Sequence, residues 1–389
     1  MQHIILICHK AHLVSNSVNF IRNLFERSFQ VDLFVGDISL SHVKALLKVN
    51  SNSVFVLWQT EYLAPWLISM GRKVIVFPMF DGCGNAPESY FKILDKTYLF
   101  NFSAKLHERC IDAGVVSYQI TYYPSSLQFQ EKEKLKDSLF FWLRRPDSSL
   151  SRANVIEYFS PYIKNIHIHD SPDDYEFRND KSLIPNEFIS TSNWFESKRD
   201  LLIKIANSKY YLAPRESEGI GMAFLEAMQL GCIVFANNAP THNQYIYNGY
   251  NGFLIDFWSG NKTLIHKQIK KAFELINSGK PIGENAKRFI TEGEPIWLKQ
   301  EEKIIGVAHS IADAKAPNPS GWAERKIGFV LARSYYVHYR LYIMFCDLTI
   351  KLGYFNDGSL RHYVKGILLH PVKMGLMLVV KIIKAILRK

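Results

Sequence analysis

The chain has few cysteines, and no two of them lie close together in the sequence. Five cysteines occur among 389 residues, each on its own and without a C-x-x-C pair. Disulfide frameworks and structural zinc sites draw on cysteines in closely spaced sets. The sequence therefore argues against both and predicts a protein of a reducing compartment.

Long apolar runs are also missing. None approaches the roughly 20 residues that a helix needs to cross a bilayer. The apolar run near the start, residues 4–8, is too short for a signal peptide. We expect it to form the first β-strand instead.

Several motifs that carry metal or nucleophile chemistry are absent as well. The sequence contains no D-x-D triplet, no H-x-x-x-H pair among its histidines and no G-x-S-x-G motif. Such patterns hold metal ions or a hydrolytic serine. We therefore expect no metal ion, no cofactor and no hydrolase triad.

Positive charge is what the chain has in excess. Its formal net charge is +11, with an isoelectric point near 9.2, which favours an anionic partner. Nucleic acid, an anionic membrane surface and a phosphate-bearing substrate all fit that description. No nucleic-acid-binding module is recognisable, so we do not expect a nucleic-acid partner.

The charge is concentrated in the last segment, residues 371–389, which has five basic and no acidic side chains. At 100° per residue, Lys373, Lys381, Lys384 and Arg388 fall within about 80° of one another. A narrow cationic stripe on an otherwise apolar helix is typical of a helix that lies in a membrane interface. The alternative is a terminal helix that docks on the protein with its lysines outward.

Strand-like and helix-like segments alternate along most of the chain, which predicts parallel, doubly wound α/β sheets. Predicted strands lie at 4–8, 31–35, 54–57, 74–77, 98–102, 117–122, 138–143, 165–169, 209–213 and 233–236. Predicted helices lie at 17–27, 42–49, 103–113, 195–207 and 296–313.

The length favours two domains, and composition indicates where they meet. A polar, lysine-rich segment at 128–137 predicts a linker between a first domain, 1–130, and a second domain, 131–313. Residues 314–389 predict a helical extension. Within it, the segment 322–352 is dense in aromatic and arginine side chains and is expected to be helical. Such side chains suit a membrane interface; the alternative is an ordinary helix packed across both domains.

The most informative stretch runs from Lys209 to Gly231. It predicts a short apolar strand, a glycine-rich turn and a helix that is apolar almost all round, hence buried. Yet Glu226 lies in the middle of that helix and Glu218 just before its first turn. A buried carboxylate costs several kcal/mol unless it is paired or hydrogen-bonded. Because a helix start also favours phosphate, the pattern predicts a sugar-nucleotide site. The alternative is a buried strand–helix unit with one satisfied glutamate.

The segment Glu218-Gly-Ile-Gly-Met-Ala-Phe-Leu-Glu226-Ala-Met resembles the E-x7-E signature of retaining GT-B glycosyltransferases, the large family 4-like group. The resemblance continues through 236–246 and 248–256, which are similar to the donor-side turn and the G-x-x-G hairpin of that fold. It implies two Rossmann-like, doubly wound parallel-sheet domains facing a cleft, to which this chain adds the helical extension.

The resemblance also implies roles for the residues of the signature. Glu226 would accept hydrogen bonds from the ribose hydroxyls of the donor, and Glu218 would face the donor sugar. Thr241, in the donor-side turn, is expected to contact the donor. Four consecutive backbone positions would close on sugar and phosphate: Gly219, Ile220, Gly221 and Met222.

Positive charge for the leaving diphosphate is expected after the first strand of the second domain. Arg144 and Arg145 follow that strand, and guanidinium groups bind phosphate oxygens bidentately. The family's usual lysine, five residues further on, is missing, and Arg152 is the candidate substitute. The alternative is an arginine pair that lies at the surface without a ligand.

In the first domain, Asp81 lies in a glycine-rich loop after an apolar strand. Related enzymes often carry a histidine or aspartate there, near the reacting sugar; the alternative is a plain turn in which Asp81 caps a helix. The chain departs from the family pattern at His9 and Lys10, where Gly-Gly is common, and at Gln244, where glutamate is usual.

The combined interpretation is a retaining glycosyltransferase that moves a sugar from an NDP-sugar co-substrate to a saccharide or polyprenyl-linked saccharide. No metal is implied, because the helix dipole and basic side chains neutralise the diphosphate. We expect a cytoplasmic protein, peripherally associated with the inner face of the cell membrane and active in surface polysaccharide biosynthesis. Two alternatives stay open. One is a membrane-docked sugar-nucleotide-binding partner that no longer catalyses, and the other is an enzyme of this fold with hydrolase or epimerase chemistry.

Overall fold

The computed structural model describes residues 2–9, 12–13, 15–35, 40–49, 52–125, 135–144, 149–171, 188–193 and 195–333. These residues form two compact units. The first comprises Met1–Thr121 and the described residues from Leu298 onward, and the second comprises Tyr122–Trp297.

The first unit contains a six-stranded parallel sheet with the strand order β2-β1-β3-β4-β5-β6. Its central strands β3 and β4 are buried at every residue, as expected for apolar runs covered on both faces. The strands are β1 (His3–Cys8), β2 (Gln30–Val35), β3 (Val54–Trp58), β4 (Lys73–Phe77), β5 (Tyr98–Asn101) and β6 (Ser117–Gln119).

Helices accompany this sheet along the described part of the first unit. Its core joins Phe55 and Leu57 of β3 to apolar side chains of the helices, among them Leu67 and Leu106. The helices are α1 (Asn19–Glu26), α2 (Leu40–Val49), α3 (Ala64–Ser69), α4 (Phe80–Cys83), α5 (Glu88–Lys92) and α6 (Ala104–Asp112).

The second unit contains another six-stranded parallel sheet, ordered β12-β11-β10-β7-β8-β9. Two parallel, Rossmann-like sheets with helices therefore confirm the predicted GT-B fold class. The strands are β7 (Leu135–Trp142), β8 (Asn165–His169), β9 (Ile189–Ser192), β10 (Ser208–Leu212), β11 (Ile233–Asn237) and β12 (Phe253–Ile255).

The helices of the second unit pack their apolar side chains on this sheet, so that Tyr158 and Phe273 join Leu139 and Phe141 in one core. These helices are α7 (Arg152–Phe159), α8 (Lys198–Ala206), α9 (Met222–Gln229), α10 (His242–Tyr245), α11 (Lys262–Asn277) and the first part of α12 (Ile282–Asp313).

The structure differs from the sequence-based expectation at several segments. Strand β7 begins at Leu135, inside the polar segment predicted as a linker, and its pairing with β10 shifts register between Ser208 and Tyr210. The segment predicted as a hairpin contributes β12, which pairs in parallel with β11. Helix α12 begins at Ile282, fourteen residues before the predicted start, and runs through Pro295.

The strand order locates a switch point in each sheet. In the second sheet the order reverses between β10 and β7, and in the first between β1 and β3. Ligands of open parallel sheets bind outside the carboxyl ends of strands at such a point. A ligand site in the second unit is therefore expected at the segments that follow β7 and β10.

The helical extension is described only in part. Residues 322–333 are helical, as predicted, and residues from 334 onward, including the cationic segment 371–389, lie outside the described residues. Within the described part of the chain, no helix is both long and apolar enough to cross a membrane.

Candidate active site

The loop between β10 and α9 has a backbone shape that only glycine suits at Gly221. This residue caps the helix with φ +82°, in the left-handed region. A Cβ atom added there would lie 1.9 Å from the Phe224 ring. Because Gly221 has no side chain, the N-cap residue offers no side-chain acceptor to the first N–H groups of α9. The helix start is therefore suited to binding an anionic group.

Glu226 lies on α9 as the sequence predicts, on a helix buried from Phe224 to Gln229. The Glu226 side chain is 8% exposed, and its Oε1 lies 2.5 Å from Nζ of Lys198. Burial raises the pKa of Glu226, and the Lys198 ammonium opposes that rise. The lysine therefore offsets part of the desolvation of a carboxylate that would otherwise favour its neutral form.

Glu218 is also buried, and its carboxylate lies near Arg215. Its Oε2 lies 3.6 Å from Nη1 of Arg215, and both side chains are nearly covered. Each of the two signature glutamates thus has a cation beside it. Of the four backbone positions predicted to close on the donor, Gly219, Ile220 and Gly221 are buried and Met222 is half-buried.

The turn after β11 holds the Glu218 loop in place. The buried Thr241 hydroxyl donates to the Glu218 carbonyl at 2.6 Å, and the Glu218 N–H donates to the Pro240 carbonyl at 3.3 Å. The Asn237 side chain donates to the Glu216 carbonyl at 2.9 Å. The structure thus gives Thr241 a loop-positioning contact, and its predicted contact with the donor stays a prediction.

The buried hydroxyl of Tyr211, on β10, has a pKa that responds to several charged groups of this site. Burial raises the pKa of its hydroxyl most strongly; Glu218 and Glu226 raise this pKa further, and Arg144 lowers it. Arg144 follows β7, and both glutamates follow β10. The three predicted residues therefore converge at the switch point between these strands.

The arginines after β7 have different surroundings. The Arg144 guanidinium lies over the Trp142 ring, 4.9 Å from its centroid. Arg152 is the first residue of α7, and its Nη2 lies 2.9 Å from Oδ2 of Asp170. Arg145 lies outside the described residues.

Sequence reasoning did not single out Lys198 or Arg215. Lys198 begins α8, and it follows a strand, β9, that was not predicted, so nothing in its own segment pointed to Glu226. Arg215 did carry a signal, because it lies three residues before Glu218 in the stretch already identified. That spacing allows contact within a single turn of chain.

His242 adds a neutral group beneath the same loop. The ring is fully buried and lies 5.2 Å from the Phe224 ring. Burial lowers the pKa of His242 to about 4, a hydrogen bond with the Asn237 backbone opposes this, and Arg215 lowers it further. At neutral pH the positive charge beside the loop therefore comes from Arg215 and not from this histidine.

In the first unit, the structure places Asp81 in the first turn of α4, after β4. The Gln59 side chain donates to Oδ1 of Asp81 at 3.3 Å, and Nε2 of His9 lies 3.1 Å from the Gln59 carbonyl. Gln59 has φ +55°, an uncommon value for a residue other than glycine. It links the segments after β1 and β4, a role that the sequence did not reveal.

Across the part of the chain that is described, no three histidine, cysteine, aspartate or glutamate side chains are grouped so that they could hold a metal ion. The charged groups that the site does offer are carboxylates paired with lysine or arginine. They suit a ligand with both hydroxyl groups and phosphate.

Comparison with known proteins agrees with this arrangement. Residues 187–289 match the family model of glycosyl transferases group 1, and this region contains β9, Lys198, the Glu218 loop and Glu226. No protein with a curated description matches the chain.

Solved structures share the fold at low sequence identity. HepE of Anabaena, in complex with UDP, is 13% identical over 79% of this chain and 100% of that one, with a TM-score of 0.56. Sucrose-phosphate synthase of Thermosynechococcus elongatus is 10% identical over 80% of this chain and 100% of that one, with a TM-score of 0.61. Pneumococcal GtfA, an O-GlcNAc transferase in complex with UDP and GlcNAc, is 16% identical over 72% of this chain and 61% of that one, with a TM-score of 0.52.

The family match covers the signature stretch, and the two sheets have the fold that these enzymes share. The chain therefore has the GT-B fold, and its residues 187–289 are similar to glycosyl transferases group 1.

Proposed function

We propose that the chain is a retaining glycosyltransferase and that its second unit binds the NDP-sugar donor at the Glu218 loop and the start of α9. The observation that carries this proposal is that Glu218 and Glu226 are both buried beside a cation and follow β10 at the switch point with β7, the strand that Arg144 follows. Glu226 binds the ribose hydroxyls and Glu218 the donor sugar. The backbone from Gly219 to Met222 closes on sugar and diphosphate, next to N–H groups of a helix start.

Charge on the leaving diphosphate is neutralised by the helix start and by basic side chains. Arg144 and Arg145 are assigned to the phosphates, with Arg152 as the further candidate. Such groups act without reorganising during the reaction, so they stabilise developing charge effectively. With these groups neutralising the diphosphate, the proposed reaction requires no metal ion.

The proposed reaction retains the configuration of the anomeric carbon, and the enzyme promotes it mainly by positioning the two substrates. The bond between the anomeric carbon and the diphosphate oxygen breaks, and the acceptor oxygen bonds to the same face of that carbon. The acceptor proton passes to an oxygen of the leaving phosphate, so no protein nucleophile is required. The enzyme contributes orientation and charge stabilisation. Asp81, held by Gln59, is assigned to the acceptor side near the reacting sugar.

The acceptor is proposed to be a saccharide or polyprenyl-linked saccharide at the inner face of the cell membrane, in surface polysaccharide biosynthesis. The cationic stripe of 371–389 supports this location. In the described part of the extension, Trp322 is 68% exposed and Lys326 lies over its ring at 5.0 Å. A tryptophan and a lysine exposed together suit a membrane–water interface.

Nucleotide binding tests the donor assignment. Thermal unfolding of the purified chain is measured with UDP, GDP, ADP, CMP and dTDP; UDP comes first because HepE and GtfA are seen with it. A nucleotide at 100 times its Kd should stabilise the protein by about 2.7 kcal/mol, a shift of a few degrees. We expect one nucleotide to give this shift and Glu226→Ala to abolish it.

The matched control is Glu216→Ala, which removes an exposed glutamate from the same loop. It should keep the nucleotide shift and the rate of sugar transfer. Loss of the shift in both variants would show that the loop, and not the Glu226 carboxylate, is what matters. No shift with any nucleotide would contradict the donor-site assignment.

A further inference from the structure

Lys198 comes to Glu226 from a separate segment whose start is fixed locally. Helix α8 begins with a reciprocal cap: the Asp200 N–H donates to the Ser197 hydroxyl at 3.1 Å, and that hydroxyl donates to Asp200 Oδ2 at 2.7 Å. This cap makes Lys198 the first helical residue. From there its Nζ lies 2.5 Å from Glu226 Oε1.

Stability of α8 does not account for a lysine at this position. A cation in the first turn of a helix is unfavourable, because the N-terminus carries a partial positive charge. The Lys198 side chain is 55% exposed, so burial of its stem does not account for it either. The contact that remains is the one with the buried Glu226 carboxylate.

Glu226 needs to be ionised if it is to bind two ribose hydroxyls. An ionised carboxylate only accepts hydrogen bonds, whereas a protonated one must also donate. Burial favours the protonated form of Glu226, and its pKa is raised for that reason; Lys198 is the group that opposes the rise. The ion pair engages Oε1, which leaves Oε2 to accept from a ligand.

We propose that Lys198 is a positioning residue for ribose recognition, whose ammonium keeps the Glu226 carboxylate ionised and oriented to accept hydrogen bonds from the 2′- and 3′-hydroxyls of the donor nucleotide. This inference rests on the proposed function, since it takes Glu226 as the ribose-binding group. It makes Lys198 a determinant of the preference for ribonucleotides, although its own charge is directed to a protein carboxylate.

The test compares nucleotides with and without the two hydroxyls. Calorimetric titration of the full chain gives Kd for UDP, GDP and ADP, each beside its 2′,3′-dideoxy analogue. Wild type should prefer the ribo form by about tenfold or more, the range expected for hydrogen bonds to a charged group. Lys198→Met should bring that ratio close to one, as Glu226→Gln should, and Lys198→Arg should restore most of it.

The matched control is Arg199→Met, which removes the same charge from the next, exposed residue of the same helix turn. It should keep the wild-type ratio, and thermal unfolding checks that each variant is folded. A Lys198→Met protein that keeps the full ribo preference would overturn the proposal while leaving the donor site intact. A wild type that binds none of the six nucleotides would instead contradict the donor site itself, and with it this role of Lys198.

Discussion

Gly221 determines how the donor loop enters α9. Its φ of +82° lies where residues with a Cβ are strained, and a Cβ would also collide with the Phe224 ring. The left-handed conformation alone costs about 1–2 kcal/mol for a residue other than glycine. Overpacking against a buried ring adds about 1–3 kcal/mol. We expect Gly221→Ala to lower the free energy of unfolding by about 3 kcal/mol and to weaken nucleotide binding.

Gly279 offers a control that measures the cost of the left-handed backbone conformation alone. It has φ +80° and nothing within 4 Å of a Cβ added to it. Gly279→Ala should therefore lower the free energy of unfolding only by the conformational cost, about 1–2 kcal/mol. It should bind nucleotide as wild type does. Urea unfolding and calorimetric titration of both variants measure the difference. Equal losses of stability would show that the Phe224 contact adjusts without cost.

Sequence reasoning reached some residues of the site and not others, for a physical reason. Glu226 could be predicted because a carboxylate inside an apolar helix conflicts with burial, and that conflict is visible in a single segment. Lys198 could not, because its partner lies 28 residues away and a surface lysine is an ordinary residue. The sequence motif therefore identified the glutamates of this site, whereas the fold was needed to identify the basic side chains that pair with them.

Strand β8 carries two buried histidines on one side, an unusual feature for a central parallel strand. Nδ1 and Nε2 of His167 each lie 2.8 Å from a serine hydroxyl of β9, those of Ser190 and Ser192. His169 shares Ser192, at 3.0 Å. Burial lowers the pKa of both histidines to about 4; Lys204 lowers that of His167 further, and the Ser192 backbone opposes the shift at His169. Both rings are therefore neutral at pH 7.

These histidines predict a loss of stability in mild acid. In the folded state they bind protons only near pH 4, whereas in the unfolded state they bind them near pH 6.5. Between these values the unfolded state binds more protons, so the free energy of unfolding falls as the pH falls. Each histidine contributes a slope of up to about 1.4 kcal/mol per pH unit in that window.

His167→Gln should remove one histidine's share of this slope, because glutamine does not titrate. Urea unfolding at intervals from pH 7 to pH 4 measures it. A slope in His167→Gln that equals the wild-type slope would contradict the assigned cause.

The elements differ in how readily the sequence reveals them. Strand β3 and residues 74–77 of β4 are uninterrupted apolar runs, and the positions of both strands could be predicted to within a residue. Strand β9 reads Ile-Ser-Thr-Ser and lies at the sheet edge, where polar residues are tolerated, so it resembles a loop in sequence. Strand β12 has three residues, too few to show a periodic pattern. Short or edge strands are thus identified by pairing and not by composition.

At the scale of the whole molecule, the two units repeat one principle. Each has a parallel sheet with a single reversal of strand order. Arg144 and the Glu218 loop flank it in the second unit, and His9 and Gln59 flank it in the first. The alternation of strands and helices predicted parallel sheets, because parallel strands require crossover connections. It did not predict the strand order, which the structure supplies.

The excess positive charge of the chain leads to the last prediction, which concerns membrane binding. Four basic side chains belong to the predicted stripe of 371–389, and each is worth about 1 kcal/mol near an anionic bilayer surface. We expect the chain to co-sediment with vesicles rich in phosphatidylglycerol and not with purely zwitterionic vesicles. Replacing Lys373, Lys381, Lys384 and Arg388 with glutamine should weaken that binding by about a hundredfold or more.

A second set of four lysines separates position from net charge. Lys267, Lys270, Lys271 and Lys280 lie exposed on α11 or just after it, and replacing them with glutamine changes the net charge by the same amount. If the stripe binds the membrane, this second variant keeps nearly all of the vesicle affinity. Equal losses in the two variants would instead mean that the overall field of the protein attracts the bilayer, and the stripe would then be the outward face of a helix docked on the protein.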